Sequence, residues 1–216
     1  RSYRQGMAWF IFSEVMFFMA FFGALFYART ISIPWLGGAS NNASTNEVLW
    51  NGFQATWPLL TTPADAISTG EPSTQAMPWT GLPLINTALL LASSVTLHYA
   101  HVGLEKVKRT QLISLLSLTI LLGAIFLVLQ VQEYVHAYRD LGLTLDSGVY
   151  GNTFFLLTGF HGMHVTLGTI ILIVLLGRCL KGHFTPKEHF AFQAGSWYWH
   201  FVDVVWVMLF FFVYIL

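Results

Sequence analysis

Residues 111–136 of the chain read QLISLLSLTILLGAIFLVLQVQEYVH, and this stretch decides the fold class. Among Asp, Glu, Lys and Arg it contains only Glu133. An α-helix needs about 20 apolar residues to cross the hydrocarbon core of a bilayer, and this stretch exceeds that length. The stretch therefore predicts a transmembrane helix.

Four more apolar runs flank this stretch, and the overall composition agrees with them. The five predicted transmembrane helices cover about residues 7–28, 82–101, 111–136, 152–177 and 195–216. Only 9% of the 216 residues are charged, whereas about a quarter are charged in soluble domains. We therefore predict an all-α fold, a polytopic membrane helical bundle that forms a single transmembrane domain over residues 1–216.

The charge balance and the cysteine count exclude several classes of function. Ten basic and ten acidic residues give a formal net charge of zero, and proteins that bind nucleic acid are normally basic, so we predict no nucleic-acid partner. Cys179 is the single cysteine, which excludes an intrachain disulfide and a cysteine metal cluster.

Basic residues are distributed unevenly between the two sides of the predicted bundle. Two of them, Arg29 and Arg139, lie on one side, and eight lie on the side of the N-terminus: Arg1, Arg4, Lys106, Lys108, Arg109, Arg178, Lys181 and Lys187. Lys and Arg are enriched in cytoplasmic loops. We therefore predict the N-terminus on the cytoplasmic or matrix side and Leu216 on the opposite side. Segment 29–81 is then a long outer loop, with a short helix near residues 47–55.

Several ionisable side chains fall inside the predicted helices, where a charge is costly unless it finds a partner. They are Glu14, Glu133, His161, His164, His200 and Asp203. Glu14 and the His200/Asp203 pair lie about 10 Å from the inner ends of their helices. We therefore expect them to share one interior hydrogen-bond network, with His164 a turn or two higher.

Each of these features has a structural interpretation beside a functional one. Glu14 is either a structural carboxyl or a proton-transfer residue. His161 and His164 either form interhelical hydrogen bonds or ligate a metal or haem. A basic cluster after the fourth helix is either a general positive anchor or a site for an anionic lipid headgroup; it consists of Arg178, Lys181 and His183.

The fourth predicted helix combines small residues with two histidines. Its Gly159, Gly162 and Gly168 permit close approach of a neighbouring helix backbone. We therefore expect this helix to form the buried centre of the bundle.

Six short strings in the chain are similar to those of one family of membrane proteins. They are SEVMFF at 13–18, PLINT at 83–87, QEY at 132–134, YGNTFF at 150–155, TGFHGMHV at 158–165 and WYWHFVDVVW at 197–206. With these strings the chain resembles subunit III of the haem-copper cytochrome c oxidases over nearly its whole length. The last string is the most specific of the six.

The resemblance implies a non-catalytic subunit of an oxidase that reduces oxygen to water with proton pumping. Haems and copper are then held by partner subunits, and oxidase subunit I is the main contact among them. The chain itself is then expected to contain no catalytic residue, no metal ligand and no cofactor other than bound phospholipid. Family members bind phospholipid firmly and support proton uptake into subunit I. Glu14 matches the family's intramembrane glutamate near a lipid-filled cleft, and the basic cluster matches one that holds an anionic phospholipid. The membrane is then a bacterial or mitochondrial inner membrane.

The chain departs from the family pattern in its number of helices. The family usually has seven, and this chain begins where the third would. The first two either precede Arg1, belong to another chain or are missing from a five-helix member. The segment before Trp79 is also longer than the family pattern predicts.

Two other functions are compatible with the same residues. A haem-copper quinol oxidase has a related subunit, and this chain does not distinguish the two because the electron donor is selected on other subunits. A b-type cytochrome would use intramembrane histidines as haem ligands, here among His98, His101, His161, His164 and His200. Two histidines on one helix turn are poorly placed to bracket one haem, which argues against the cytochrome.

Overall fold

A computed structural model of the chain describes residues 2–68, 74–185 and 188–216. The helices in this part of the chain are α1 (Ser2–Tyr27), α2 (Ile33–Leu36), α3 (Ala43–Leu49), α4 (Pro63–Ser68), α5 (Leu82–Glu105), α6 (Arg109–Arg139), α7 (Gly148–Leu180) and α8 (Phe190–Leu209). Short π-helical segments follow α1 at Ala28–Ser32 and α8 at Phe210–Ile215.

Five helical segments of the described chain are long and apolar enough to cross a membrane, which confirms the predicted all-α, polytopic fold. They are Ser2–Leu36, Leu82–Glu105, Arg109–Arg139, Gly148–Leu180 and Phe190–Ile215. Most of them extend a few residues beyond the apolar runs seen in the sequence. The reason is that adding a residue to an existing helix is far easier than nucleating one, so polar residues at the ends continue the helix.

The first predicted helix extends further than its apolar run. We expected it to end near residue 28, but the chain continues through the π segment Ala28–Ser32 into α2. The N–H of Ile33 bonds to the carbonyl of Ala28, five residues earlier. Pro34 then lies in the first turn of α2, where a missing N–H is tolerated. One π turn therefore carries the helix past the polar residues without a break.

The predicted outer loop, residues 29–81, contains more helix than expected. The short helix expected near residues 47–55 lies at Ala43–Leu49 instead. Gly52 has a φ of +89°, a left-handed conformation that ends helices rather than continuing them. A small apolar core is buried in this segment and consists of Ile33, Phe53 and Leu59, with Leu36, Trp50, Trp57 and Ala66 packed against it.

The described chain forms two compact units. One contains the residues up to 15 together with residues 78–133 and 159–216. The other contains residues 16–77 and 134–158, and includes the small apolar core of the outer segment. The prediction that residues 1–216 form a single domain stays a prediction.

The most buried of the long helices is α8, not the fourth predicted helix, α7. We compared the most apolar 18-residue window of each span. In the span that includes α8, 56% of the window is buried, and in α7 the figure is 39%. The indole rings of Trp199 and Trp206 are fully buried and fill the space beside small residues. A Cβ added at Gly123 or Gly168 would lie 2.6 or 2.9 Å from the Trp199 ring, whereas one at Gly162 would meet no described atom within 4 Å.

Two indole N–H groups connect α8 to α5. Trp199 donates from Nε1 to the Oγ of Ser93 at 2.9 Å, and Trp206 donates from Nε1 to the Oγ1 of Thr87 at 3.0 Å. Each such bond contributes about 0.5–1.5 kcal/mol net, and an indole N–H left unpaired in the interior would cost more. These bonds fix the register of α8 against α5. Two residues of the predicted network, His200 and Asp203, lie on α8.

Candidate functional site

Glu14 on α1 and His164 on α7 form a direct hydrogen bond, with 2.7 Å between Oε2 and Nε2. The Nδ1 of His164 lies 2.6 Å from the carbonyl oxygen of Phe160. A carbonyl oxygen only accepts, so Nδ1 carries a proton and donates it. The pair then shares one further proton, which is held either by the carboxyl or by Nε2. In both arrangements the pair has no net charge, as suits an intramembrane position.

His200 and Asp203 lie together on α8, but they do not join Glu14. The Nδ1 of His200 is 2.8 Å from the Oγ of Ser94 on α5 and 3.6 Å from Oδ2 of the buried Asp203. Within the described residues, no hydrogen bond links Glu14 to either of them. The expected single network is therefore wrong, and two separate groups take its place. Equal depth in the membrane does not determine which helices are neighbours.

His161 is buried where α7 meets α8. Its Nε2 lies 3.2 Å from the carbonyl oxygen of Val202, so Nε2 carries the proton of this bond. The imidazole ring centroid is 4.9 Å from that of Trp206 and 5.7 Å from that of Phe126. For His164 the geometry favours interhelical hydrogen bonding over haem ligation, since both of its ring nitrogens already have partners. The Nδ1 of His161 has no hydrogen-bond partner among the described residues.

Glu133 has a partner that the sequence analysis missed. The hydroxyl of Tyr214 donates to Oε1 of Glu133 at 2.6 Å, and both side chains are buried. The bond joins α6 to the π segment that follows α8. One signal could have indicated it, because both residues lie near the outer ends of their predicted helices and buried tyrosines normally find a hydrogen-bond partner.

The basic cluster lies at the C-terminal end of α7, which closes with a Schellman motif. The N–H of His183 bonds to the carbonyl of Arg178, and the N–H of Gly182 bonds to that of Cys179, both at 3.0 Å. Gly182 has the φ of +73° that this motif needs. The turn keeps Arg178, Lys181 and His183 together at one helix end, and all three are exposed. Cations there also interact favourably with the helix dipole.

Arg109 belongs beside this cluster, although the sequence analysis used it only for orientation. Its Nη2 donates to the carbonyl of Leu180, the last residue of α7, at 2.6 Å. The guanidinium of Arg178 lies 4.7 Å from the ring centroid of Phe184. A cavity of about 220 Å³ is lined by Arg109, Phe184 and apolar residues that include Leu104 and Leu112. The C-terminal end of α7 therefore combines cationic side chains with a mainly apolar cavity.

The five long helices and their buried polar pairs define a polytopic helical membrane protein whose interior polar groups hold helices together. A family model described as cytochrome c oxidase subunit III matches residues 69–216. Cytochrome c oxidase subunit 3 of Osphranter robustus is 42% identical over 214 residues, which is 99% of this chain and 69% of the relative. The corresponding subunit of Oncorhynchus mykiss is 44% identical over 214 residues, with the same coverage. The one from Pongo abelii is 42% identical over 216 residues.

The chain therefore belongs to the cytochrome c oxidase subunit III family, and the resemblance carried by the six strings is confirmed. Members of this family are non-catalytic subunits of the respiratory oxidase. The chain is accordingly an integral membrane protein that associates with other oxidase subunits.

Proposed function

We propose that the chain stabilises the oxidase by packing against its catalytic subunit I, and that it holds no haem or copper itself. The use of its buried polar groups supports this proposal. His161 and His164 direct their hydrogen bonds to the Val202 carbonyl and to Glu14, as expected of a scaffold. By contrast, only 11% of the most apolar window of the first span is buried within the chain. Most of α1 is therefore left for lipid and for other subunits.

Gentle detergent purification through this chain tests the proposal, with a visible spectrum and identification of the co-purifying chains. We expect haem absorbance bands in the purified complex, together with a large co-purifying subunit. We expect these bands to be absent once this chain is isolated from that subunit. A Soret band that stays with the isolated chain would make its histidines haem ligands and overturn the proposal. An unrelated multi-pass membrane protein with the same tag serves as the control for carry-over of oxidase.

We propose a bacterial or mitochondrial inner membrane, with the start of α1 on the cytoplasmic or matrix side. Six described basic residues on that side support the orientation: Arg4, Lys106, Lys108, Arg109, Arg178 and Lys181. Arg1 and Lys187 lie outside the described residues. In a Cys179→Ser background, an impermeant maleimide should label Asp146→Cys in right-side-out vesicles and Lys181→Cys only after permeabilisation. The reverse labelling pattern would contradict the orientation.

We further propose that Arg178, Lys181 and His183 bind the headgroup of an anionic phospholipid. The three side chains are exposed at one helix end, where a phosphodiester can accept charge-assisted hydrogen bonds. The adjacent cavity supports the proposal, since its walls are mainly apolar and Arg109 contributes a further guanidinium. A headgroup and the start of an acyl chain both find suitable surfaces there.

The double variant Arg178→Ala/Lys181→Ala tests lipid binding, with anionic lipid measured in the purified complex. We expect less co-purified anionic lipid than in the wild type. The matched control is Lys106→Ala/Lys108→Ala, which removes two exposed charges from the same side but spares the cluster. Unchanged lipid in the cluster variant, or an equal loss in both variants, would contradict the proposal.

Support of proton uptake is the last part of the proposed function. The Glu14–His164 pair shares one proton, and the Glu14 side chain remains 23% exposed whereas that of His164 is 5% exposed. The partly exposed carboxyl group of Glu14 is therefore the side from which a partner subunit would reach the pair. We expect Glu14→Gln to lower proton pumping or to shorten the turnover lifetime of the oxidase. Unchanged values, equal to those of the exposed control Glu47→Gln, would contradict a role for Glu14.

A further inference from the structure

Three ligand-type side chains converge outside the groups described so far. His101 and Glu105 lie in the last turn of α5, and His189 is the residue that precedes α8. One ligand atom from each lies within 4.8 Å of the others. The sequence signal was the His101-x-x-x-Glu105 spacing, which places the two side chains on one helix face.

Two ring nitrogens in this cluster lack a hydrogen-bond partner. The Nε2 of His101 and the Nδ1 of His189 are both buried and unpaired among the described residues. The Nε2 of His101 is 4.0 Å from Oε1 of Glu105, which is too far for a hydrogen bond. Buried polar atoms of this kind normally find a partner. In the tautomers that leave these two nitrogens unprotonated, both can offer a lone pair, together with the carboxylate, to a bound cation.

The packing around the cluster keeps both imidazoles in place. The ring centroids of His101 and His189 are 5.4 Å apart, and that of Phe192 is 5.4 Å from His101. The Glu105 side chain is 57% exposed and is therefore free to change rotamer. The cluster thus has two nitrogen donors that the packing holds near each other and one oxygen donor that is more freely adjustable.

Two imidazoles and one carboxylate form a donor set that suits Zn²⁺. Tetrahedral zinc takes His nitrogen and Glu oxygen at about 2.0–2.2 Å, so two donors on one ion lie about 3.4 Å apart. The donor atoms lie within 4.8 Å of one another, so their separations need to shorten by up to about 1.4 Å. Rotation of the Glu105 side chain adjusts the two distances that involve the carboxylate, and a small shift of the imidazole rings closes the third. Ca²⁺ and Mg²⁺ prefer all-oxygen sites, so the two imidazoles disfavour them.

We propose that His101, Glu105 and His189 bind one Zn²⁺ ion, with water or a fourth ligand completing the coordination. The ion joins the C-terminal end of α5 to the start of α8. It thereby reinforces the connection that the Trp199 and Trp206 indoles make further along the same two helices. The proposal revises the prediction from the sequence, which assigned no metal ligand to the chain.

Zinc binding by the intact oxidase, purified through this chain, tests the proposal. The complex is first treated with a mild chelator and then dialysed against buffered Zn²⁺, and its zinc is counted by mass spectrometry. We expect Glu105→Gln to bind one zinc ion less tightly, with a dissociation constant raised by more than roughly tenfold, since even residues outside the first shell matter that much. Glu105 is exposed, so this variant is expected to fold and assemble normally.

His136→Gln is the matched control. His136 and Asp140 form another i, i+4 histidine–carboxylate pair, but no third ligand-type side chain joins them among the residues that the structure describes. This control should retain the zinc content of the wild type, whereas His101→Gln and His189→Gln should lose one ion. Equal zinc content and affinity in the wild type and Glu105→Gln would overturn the proposal. So would an anomalous-scattering map at the zinc edge without a peak at these three side chains.

Discussion

Oε2 of Glu14 and Nε2 of His164 are 2.7 Å apart, and a proton lies between them in either charge arrangement. Glu14→Gln keeps a donor for Nε2, because the side-chain amide can replace the protonated carboxyl. Glu14→Ala leaves the ring nitrogen unpaired, at a cost of about 1–3 kcal/mol. We therefore expect the thermal stability of the complex to fall clearly for Glu14→Ala and little for Glu14→Gln. Equal losses would show that the hydrogen bond is not the stabilising contact.

Gly168 is predicted to be intolerant of a methyl group. A Cβ at this position would lie 2.9 Å from the Trp199 ring, which is itself fully buried and unable to move away. Overpacking of this kind costs about 1–3 kcal/mol. Gly168→Ala should therefore lower the thermal stability of the complex, whereas Gly162→Ala on the same helix should leave it nearly unchanged. A Gly168→Ala complex as stable as the Gly162→Ala complex would contradict the close packing against Trp199.

Thr87 is predicted to stabilise the chain through its hydroxyl group. Thr87→Val keeps the shape of the side chain but leaves the Nε1–H of Trp206 without its acceptor. The expected loss is about 1–3 kcal/mol of unfolding free energy. Thr166→Val is the control, because the hydroxyl of Thr166 bonds to Gly162 in its own helix and the residue is exposed. The measurement is unfolding in denaturant, and an equal effect of the two changes would disprove the specific role of Thr87.

Tyr214 is predicted to hold the end of the last span against α6. Tyr214→Phe removes the donor to Oε1 of the buried Glu133, and a buried polar atom left unpaired costs about 1–3 kcal/mol. We expect faster proteolysis of the C-terminal residues and a lower unfolding midpoint. Tyr138→Phe, at a tyrosine that is 48% exposed, should show neither change. Matching behaviour of the two variants would rule out the proposed contact as a stabilising one.

The positions of the long helices could be predicted because their signal is local. A run of apolar residues such as 111–136 needs no knowledge of its neighbours to be recognised as a span. The extension of the first span through Ala28–Ser32 was missed. It depends on a π-type hydrogen bond from the N–H of Ile33 to the carbonyl of Ala28, and the composition carries no signal for such a bond. The short helix was expected near residues 47–55, but it ends at Leu49 with Trp50 as its C-cap, and the left-handed Gly52 interrupts the expected range.

The members of the polar groups could be predicted, but their pairing could not. Glu14, His164 and His200 all lie within helical segments long and apolar enough to cross a membrane, as expected from the sequence. Depth was the only basis for pairing them. It then assigned Glu14 to His200, although α1 meets His164 of α7 and His200 turns towards Ser94 of α5. Pairing depends on the rotation of each helix about its axis and on the order of helices in the bundle. Neither quantity is contained in a single helical stretch.

The π turn at Ala28–Ser32 also bears on how this part of the chain can change in evolution. Relative to an uninterrupted α-helix it amounts to one extra residue, and one residue corresponds to about 100° of rotation. Deleting a residue there would turn Ile33 away from Phe53 and Leu59, even if every remaining side chain were kept. Selection at this point therefore acts on the spacing between Tyr27 and Ile33. Substitutions are tolerated more readily there than a change in length.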